Sequence, residues 1–150
     1  MGRYMSLDVG DRRIGVALSD PLQILASPLL TIVRTSDEYA LHEITGLVNR
    51  YDVEKLIIGM PYSLDGTVGP QAEKVRLFKD KIAAQVNIEI VLQDEKLSSV
   101  TADQKLKETR KKSARLKETI DAAAAAVILQ SYLDEVLLNG DISQLAPPTF

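Results

Sequence analysis

The sequence predicts an α/β domain built on a mixed five-stranded sheet, a three-strand antiparallel meander plus two parallel strands, flanked by helices. Three observations predict it. Strand-like alternation recurs three times before the first helical pattern, and strands and helices alternate after that. The composition, 45% hydrophobic and 26% charged over 150 residues, is that of one compact core. Strands joined directly favour antiparallel pairing, whereas strands separated by a helix favour parallel pairing.

Each element has its own warrant. In residues 4–9, Met5, Leu7 and Val9 share one face of a strand, and Ser6 and Asp8 share the other. Gly10-Asp11-Arg12-Arg13 reads as a turn into a second strand, in which Ile14, Val16 and Leu18 oppose the small residues Gly15, Ala17 and Ser19. Residues 24–33 predict a third strand, interrupted or placed at an edge by Pro28, because proline cannot donate to a ladder. Ala40, Leu41, Ile44, Leu47, Val48 and Tyr51 recur at helical spacing behind a cap at Ser36 or Asp37. Lys55 to Met60 is a buried strand opening into a loop at Pro61. A second helix spans about 71–85 with Ala72, Val75, Phe78 and Ile82 on one face, and 87–93 is a short strand that delivers Asp94 and Glu95. Helical patterns follow over 99–108 and 120–138, and residues 145–150 form a frayed tail.

Several function classes are excluded or disfavoured. With no cysteine there is neither a disulfide framework nor a thiolate zinc site, which suits a reducing cytoplasm. No apolar run reaches the ~20 residues of a membrane span, and the start leads into a strand rather than a signal peptide, so no membrane partner is expected. The net charge of −3 argues against a histone-like wrapper of nucleic acid. The charge is uneven, however. Residues 103–118 carry seven basic and three acidic side chains, a local +4, which marks a candidate phosphate-contacting surface or a solvated face. The single histidine, His42, falls off the apolar stripe of its helix and is assigned no function.

Four acids at three places stand out. Asp8 interrupts a strand-forming run where aspartate is disfavoured, and small residues on the neighbouring strand would leave room beside it for ions or substrate. Asp94 and Glu95 end the last strand and point to opposite faces, so only one of them can meet Asp8; periodicity leaves the choice open. Asp121 lies in a helical first turn beside Thr119, where it serves equally well as a ligand or as a partner of the helix dipole. Clustered carboxylates from different elements are what hard divalent cations require, and a pair of such cations is one route to phosphodiester hydrolysis.

At this point the residues carry a resemblance. Leu7-Asp8-Val9-Gly10-Asp11-Arg12-Arg13-Ile14-Gly15-Val16-Ala17-Leu18-Ser19-Asp20 resembles the opening signature of the bacterial YqgF family, also called RuvX. Gly59-Met60-Pro61 with Gly66 resembles its central loop, Asp94-Glu95-Lys96-Leu97-Ser98-Ser99 its acidic motif, and Ile120-Asp121-Ala122-Ala123-Ala124 its C-terminal helix. The blocks occur in order along nearly the whole chain. The resemblance implies an RNase H-like fold, with Asp8, Glu95 and Asp121 converging as catalytic metal ligands for Mg²⁺ or Mn²⁺ in a two-metal site, and it selects Glu95 over Asp94. Met60 stands where leucine is common in the family. Lys96 stands where arginine is usual, offering phosphate a point charge instead of a planar fork.

The function this implies is a metal-dependent nuclease processing the 5′ end of pre-16S ribosomal RNA, with pre-rRNA or ribosomal precursor particles as partners. Arg12, Arg13, Lys96, Arg110, Lys111, Lys112 and Arg115 are the candidate nucleic-acid contacts. One alternative is a Holliday junction resolvase acting on branched DNA, for which a homodimer presenting two sites is expected. Another is a non-catalytic nucleic-acid-binding module. An actin-like ATPase is disfavoured, because such enzymes clasp nucleotide between two domains and this chain has length for one.

Overall fold

The computed structural model describes residues 2–62, 68–94 and 114–140, with side chains in the last stretch from Thr119 to Leu138. Five strands form one sheet in the order β3-β2-β1-β4-β5: β1 (Arg3–Val9), β2 (Arg13–Ser19), β3 (Ala26–Val33), β4 (Val53–Met60) and β5 (Glu89–Asp94). β1, β2 and β3 pair antiparallel, and β1, β4 and β5 pair parallel. The three parallel strands therefore end at the same edge of the sheet, the edge where α/β proteins place their ligands.

Pro28 acts as the sequence suggests. β3 is an edge strand, and its register on β2 slips at this point, Val16 pairing Leu30 and Ala17 pairing Pro28.

Two apolar layers cover the sheet. Helices α1 (Asp37–Arg50) and α2 (Pro70–Ala83) lie on one face, where Ala40, Leu41, Ile44 and Val48 of α1 and Ala72, Val75, Phe78 and Ile82 of α2 are buried with Met5, Leu7, Ile14, Val16, Leu56 and Ile58. Ser36 caps α1, its Oγ accepting from the Tyr39 amide at 3.0 Å. Helix α3 (Ala114–Glu135), which ends in a π-helical turn at Val136–Gly140, packs on the opposite face. There Ala125, Ile128, Leu129 and Leu133 meet Ala17 and Ile57.

The alternation of β1 and β2 decides which residues meet α3. Met5 and Leu7 enter the α1/α2 core, so Tyr4, Ser6 and Asp8 face α3, as do Gly15, Ala17 and Ser19 of β2. Two clamps fix the helix. Ser6 Oγ donates to the Ala125 carbonyl at 2.6 Å. The Gln130 side chain accepts from the Ala26 amide at 2.9 Å and donates to the Ile24 carbonyl at 3.0 Å.

Several boundaries differ from the sequence reading: β3 begins at Ala26 rather than 24, β4 at Val53 rather than Lys55, and α2 ends at Ala83 rather than about 85. β5 begins at Glu89 rather than at 87, since pairing with β4 starts only at the Lys55–Glu89 register. Helix α3 begins at Ala114, not near Ile120, because Ala-Arg-Leu-Lys-Glu are all good helix formers and Thr119 does not interrupt them. The helix predicted over 99–108 and the tail at 145–150 lie outside the described residues.

Candidate functional site

Asp8 is the penultimate residue of β1, and its cross-strand partner on β2 is Gly15. A Cβ added at Gly15 would run into the Asp121 carbonyl oxygen, so the absent side chain is what lets α3 approach the sheet at this level. That contact corrects one expectation. The small face of β2 is not open space for ions or substrate beside Asp8. Gly15 lies against the α3 backbone, and Ala17 is buried among α3 side chains.

The close approach brings two acids from opposite ends of the chain together. The Asp8 carboxyl is half-buried, and its pKa is raised from 3.8 to about 6, first by desolvation and then by the negative charge of Asp121. Asp121 is itself held by Arg13, whose Nε donates to Asp121 Oδ2 at 2.6 Å. It stands in the second turn of α3, so it is not the first-turn acid that the helix-dipole reading required.

The remaining predicted residues divide into two groups. Arg12 is exposed at the tip of the β1–β2 turn, at the same edge of the sheet. Glu95, Lys96, Arg110, Lys111 and Lys112 lie outside the described residues, as does the side chain of Arg115, whose backbone is in the first turn of α3. Strand parity at the end of β5 bears on Asp94. Ile90 and Leu92 pack in the α1/α2 core, and Val91 packs against the α3 cluster. Gln93 is buried, and its Nε2 donates to Glu135 Oε1 of α3 at 3.0 Å. Asp94 therefore belongs to the α1/α2 side, and the α3 side, where Asp8 and Asp121 meet, is that of Gln93.

Two contributors were missed in the sequence. Ser6, read only as part of a polar face, anchors α3 through Ala125. Gly15, read as small, is the point of backbone contact with Asp121. A serine two residues before an aspartate, on one face of an otherwise apolar strand, was the available signal for the first.

The donor chemistry fits a hard divalent cation. Two carboxylates share a partly desolvated corner, and the one histidine is exposed on α1. Among the described residues no group of three His, Cys, Asp or Glu side chains comes together.

Comparison with known proteins agrees with this architecture. A family model described as "RuvX: Holliday junction resolvase" matches residues 2–135. A protein of Dehalococcoides mccartyi named "Putative pre-16S rRNA nuclease" is 48% identical over 127 residues, covering 85% of this chain and 94% of its own length. A Clostridium botulinum protein of the same name is 42% identical over 134 residues, covering 89% and 98%. Among solved structures, T. thermophilus RuvC in complex with a Holliday junction substrate superposes with a TM-score of 0.59 at 14% identity, over 93% of this chain and 97% of that one. The fowlpox virus resolvase bound to Holliday junction DNA gives 0.53 at 16% identity, over 90% and 99%. At such identities the likeness establishes the fold, that of the RuvC-like, RNase H-like resolvases. Matched by the family model along nearly all its described length and by close full-length relatives, this chain belongs to the RuvX family.

Proposed function

We propose that this protein is a metal-dependent nuclease that hydrolyses nucleic-acid phosphodiesters in the 5′-end processing of pre-16S rRNA. The observation that carries the reading is the Asp8–Asp121 pair: two acids from β1 and α3 that face each other at the carboxyl edge of the parallel strands, with the Asp8 pKa pushed up to about 6. Relatives at 42–48% identity along nearly their full lengths bear the name of such a nuclease, which favours rRNA as the substrate.

In this proposal Asp8 and Asp121 hold Mg²⁺ or Mn²⁺, and Glu95, which the family resemblance selects, completes the ligand set. When bound, the cations supply charge neutralisation at the phosphoryl oxygens and make the attacking water more acidic. The chain's own residues do the rest. Arg13 fixes the carboxylate of Asp121 in one orientation, Gly15 lets α3 carry it to within range of Asp8, and half-burial keeps bulk water from screening the pair. Exposed Arg12, with Lys96 and the basic residues Arg110, Lys111, Lys112 and Arg115, holds flanking phosphates.

A second reading, resolution of branched DNA by a homodimer, is favoured by the family description and by the shared fold with junction-bound resolvases. The test is cleavage of a labelled pre-16S 5′-leader RNA and of a synthetic four-way DNA junction, with Mg²⁺, Mn²⁺ or EDTA, beside Asp8→Asn. The proposal expects metal-dependent cutting of the RNA that the substitution abolishes. Cutting of the junction alone, in paired symmetric nicks, selects the second reading. Equal binding with no cutting by wild type and variant selects a non-catalytic binding module.

A further inference from the structure

A cleft of about 460 Å³ lies between the N-terminus of α1 and α2, on the opposite side of the β1–β2 turn from the acid pair. Arg34, Lys74 and Lys81 line it together with Asp11, Asp37 and Phe78. We infer that this cleft binds a backbone phosphate of the nucleic-acid strand flanking the cleavage position; the inference rests on the nuclease reading for its substrate and extends it to a site no sequence motif marked.

Position supports it first. Arg34 is joined to the turn twice, its amide donating to the Arg12 carbonyl at 2.8 Å and its Nη1 to the Gly10 carbonyl at 2.9 Å. The cleft is thus walled by the same turn that supplies Arg13 to Asp121. A strand leaving the acid pair across this turn passes exposed Arg12 and reaches the two lysines.

Charge and geometry support it next. Three cations face two carboxylates, a local excess of positive charge in a chain of net −3, and the capped N-terminus of α1 adds its partial positive charge. Arg34 is a fixed element: its guanidinium stacks on the Phe78 ring at 4.4 Å from the centroid and pairs with Asp37 at 2.9 Å. The lysines are the adaptable ones. Lys74 approaches Asp11 at only 3.8 Å with both side chains 64% exposed, a pairing too open to hold much stability. Lys81 reaches the second oxygen of Asp37 at 2.9 Å while remaining over half exposed, so one carboxylate is shared by two cations. Either lysine can turn to a phosphate at small cost, and the cleft is of a size that admits a nucleotide backbone.

The test is titration of the intact ¹⁵N-labelled protein in EDTA with a 5′-phosphorylated single-stranded RNA decamer and its DNA counterpart, beside the double variant Lys74→Ala/Lys81→Ala. The expected result is movement of the Thr35, Ser36, Lys74 and Lys81 amides, and in the variant about a tenfold loss of affinity at low salt with a salt slope shallower by about 0.7 for the one lost phosphate contact on a single strand. Movement confined to Arg12–Gly15 and Asp121, or no movement anywhere, with variant and wild type binding alike, overturns the inference. The outcomes separate from those of the nuclease reading: if the cleft amides respond but wild-type protein cuts nothing that Asp8→Asn does not, the cleft stands and the nuclease reading falls. A response to RNA but not DNA identifies the ribose strand as the ligand.

Discussion

Arg13 and Asp121, 108 residues apart in the chain, meet through a single hydrogen bond of 2.6 Å from the guanidinium Nε to one carboxylate oxygen. The bond ties the first turn of the sheet to the last helix, and it fixes the acid that faces Asp8. Replacing Arg13 with Gln is expected to lower stability by only about 0.5–1 kcal/mol, because both side chains remain partly exposed and salt screens the pair. Cleavage should fall further, by about 10- to 100-fold, since a loosened Asp121 no longer meets the substrate in one geometry. Lysine at this position keeps the charge but not the Nε donor and should restore stability better than activity. Urea unfolding alongside initial cleavage rates checks both parts.

Asp8 makes the metal-free protein pH-sensitive. Its pKa is raised on folding, from 3.8 to about 6, so the folded state holds this proton more tightly than the unfolded chain does. The cost of ionising it appears as pH rises from about 4 and is complete above about 6. At pH 8 that cost is at most about 3 kcal/mol, an upper figure because water reaches part of the residue. In EDTA, Asp8→Asn should therefore be more stable than wild type at pH 8, and the gap should close toward pH 4. Denaturant unfolding at pH 4, 5.5 and 8 reads it directly. A gap that widens on acidification would contradict this assignment.

Gly15→Ala places a methyl group where the Asp121 carbonyl stands. The helix backbone cannot rotate aside as a flexible side chain would, so α3 must shift from the sheet. A loss of about 2–3 kcal/mol is expected, read as a lowered thermal midpoint. Whatever protein remains folded should cut poorly, because Asp121 rides on the displaced helix.

Ser6→Ala removes the buried hydroxyl that holds the Ala125 carbonyl. The carbonyl retains its helical partner, so the expected cost is about 1 kcal/mol, with activity reduced less than by Gly15→Ala. Thermal unfolding of the two variants side by side tests that ranking.

Much of the fold was legible because its signals are local. Met5, Leu7 and Val9 alternate against Ser6 and Asp8, and Ala40, Leu41, Ile44 and Val48 recur at helical spacing; each pattern reports one element and the face it buries. Pro28 announced an edge because its missing N–H excludes a central strand. The start of α3 was not legible. Thr119 resembles a cap, and only the continuing helix from Ala114 shows that it is interior. Asp8 could be singled out from β1 alone, as a charge in a strand. Its meeting with Asp121 was implied only by the family resemblance, since no local pattern marks the backbone contact at Gly15 between elements more than a hundred residues apart. The Arg34 cleft had no sequence signal at all, because its three cations come from two segments joined only in the fold.

In the proposed mechanism Asp8 and Asp121 together hold the divalent cation on which cutting depends. Calorimetric titration of Mn²⁺ into EDTA-stripped wild type, Asp8→Asn and Asp121→Asn tests it most directly. Saturable binding by wild type, weakened at least about tenfold by either substitution and accompanied by a rise in wild-type thermal midpoint, is expected. Equal Mn²⁺ affinity in all three proteins, or none in wild type, would contradict it.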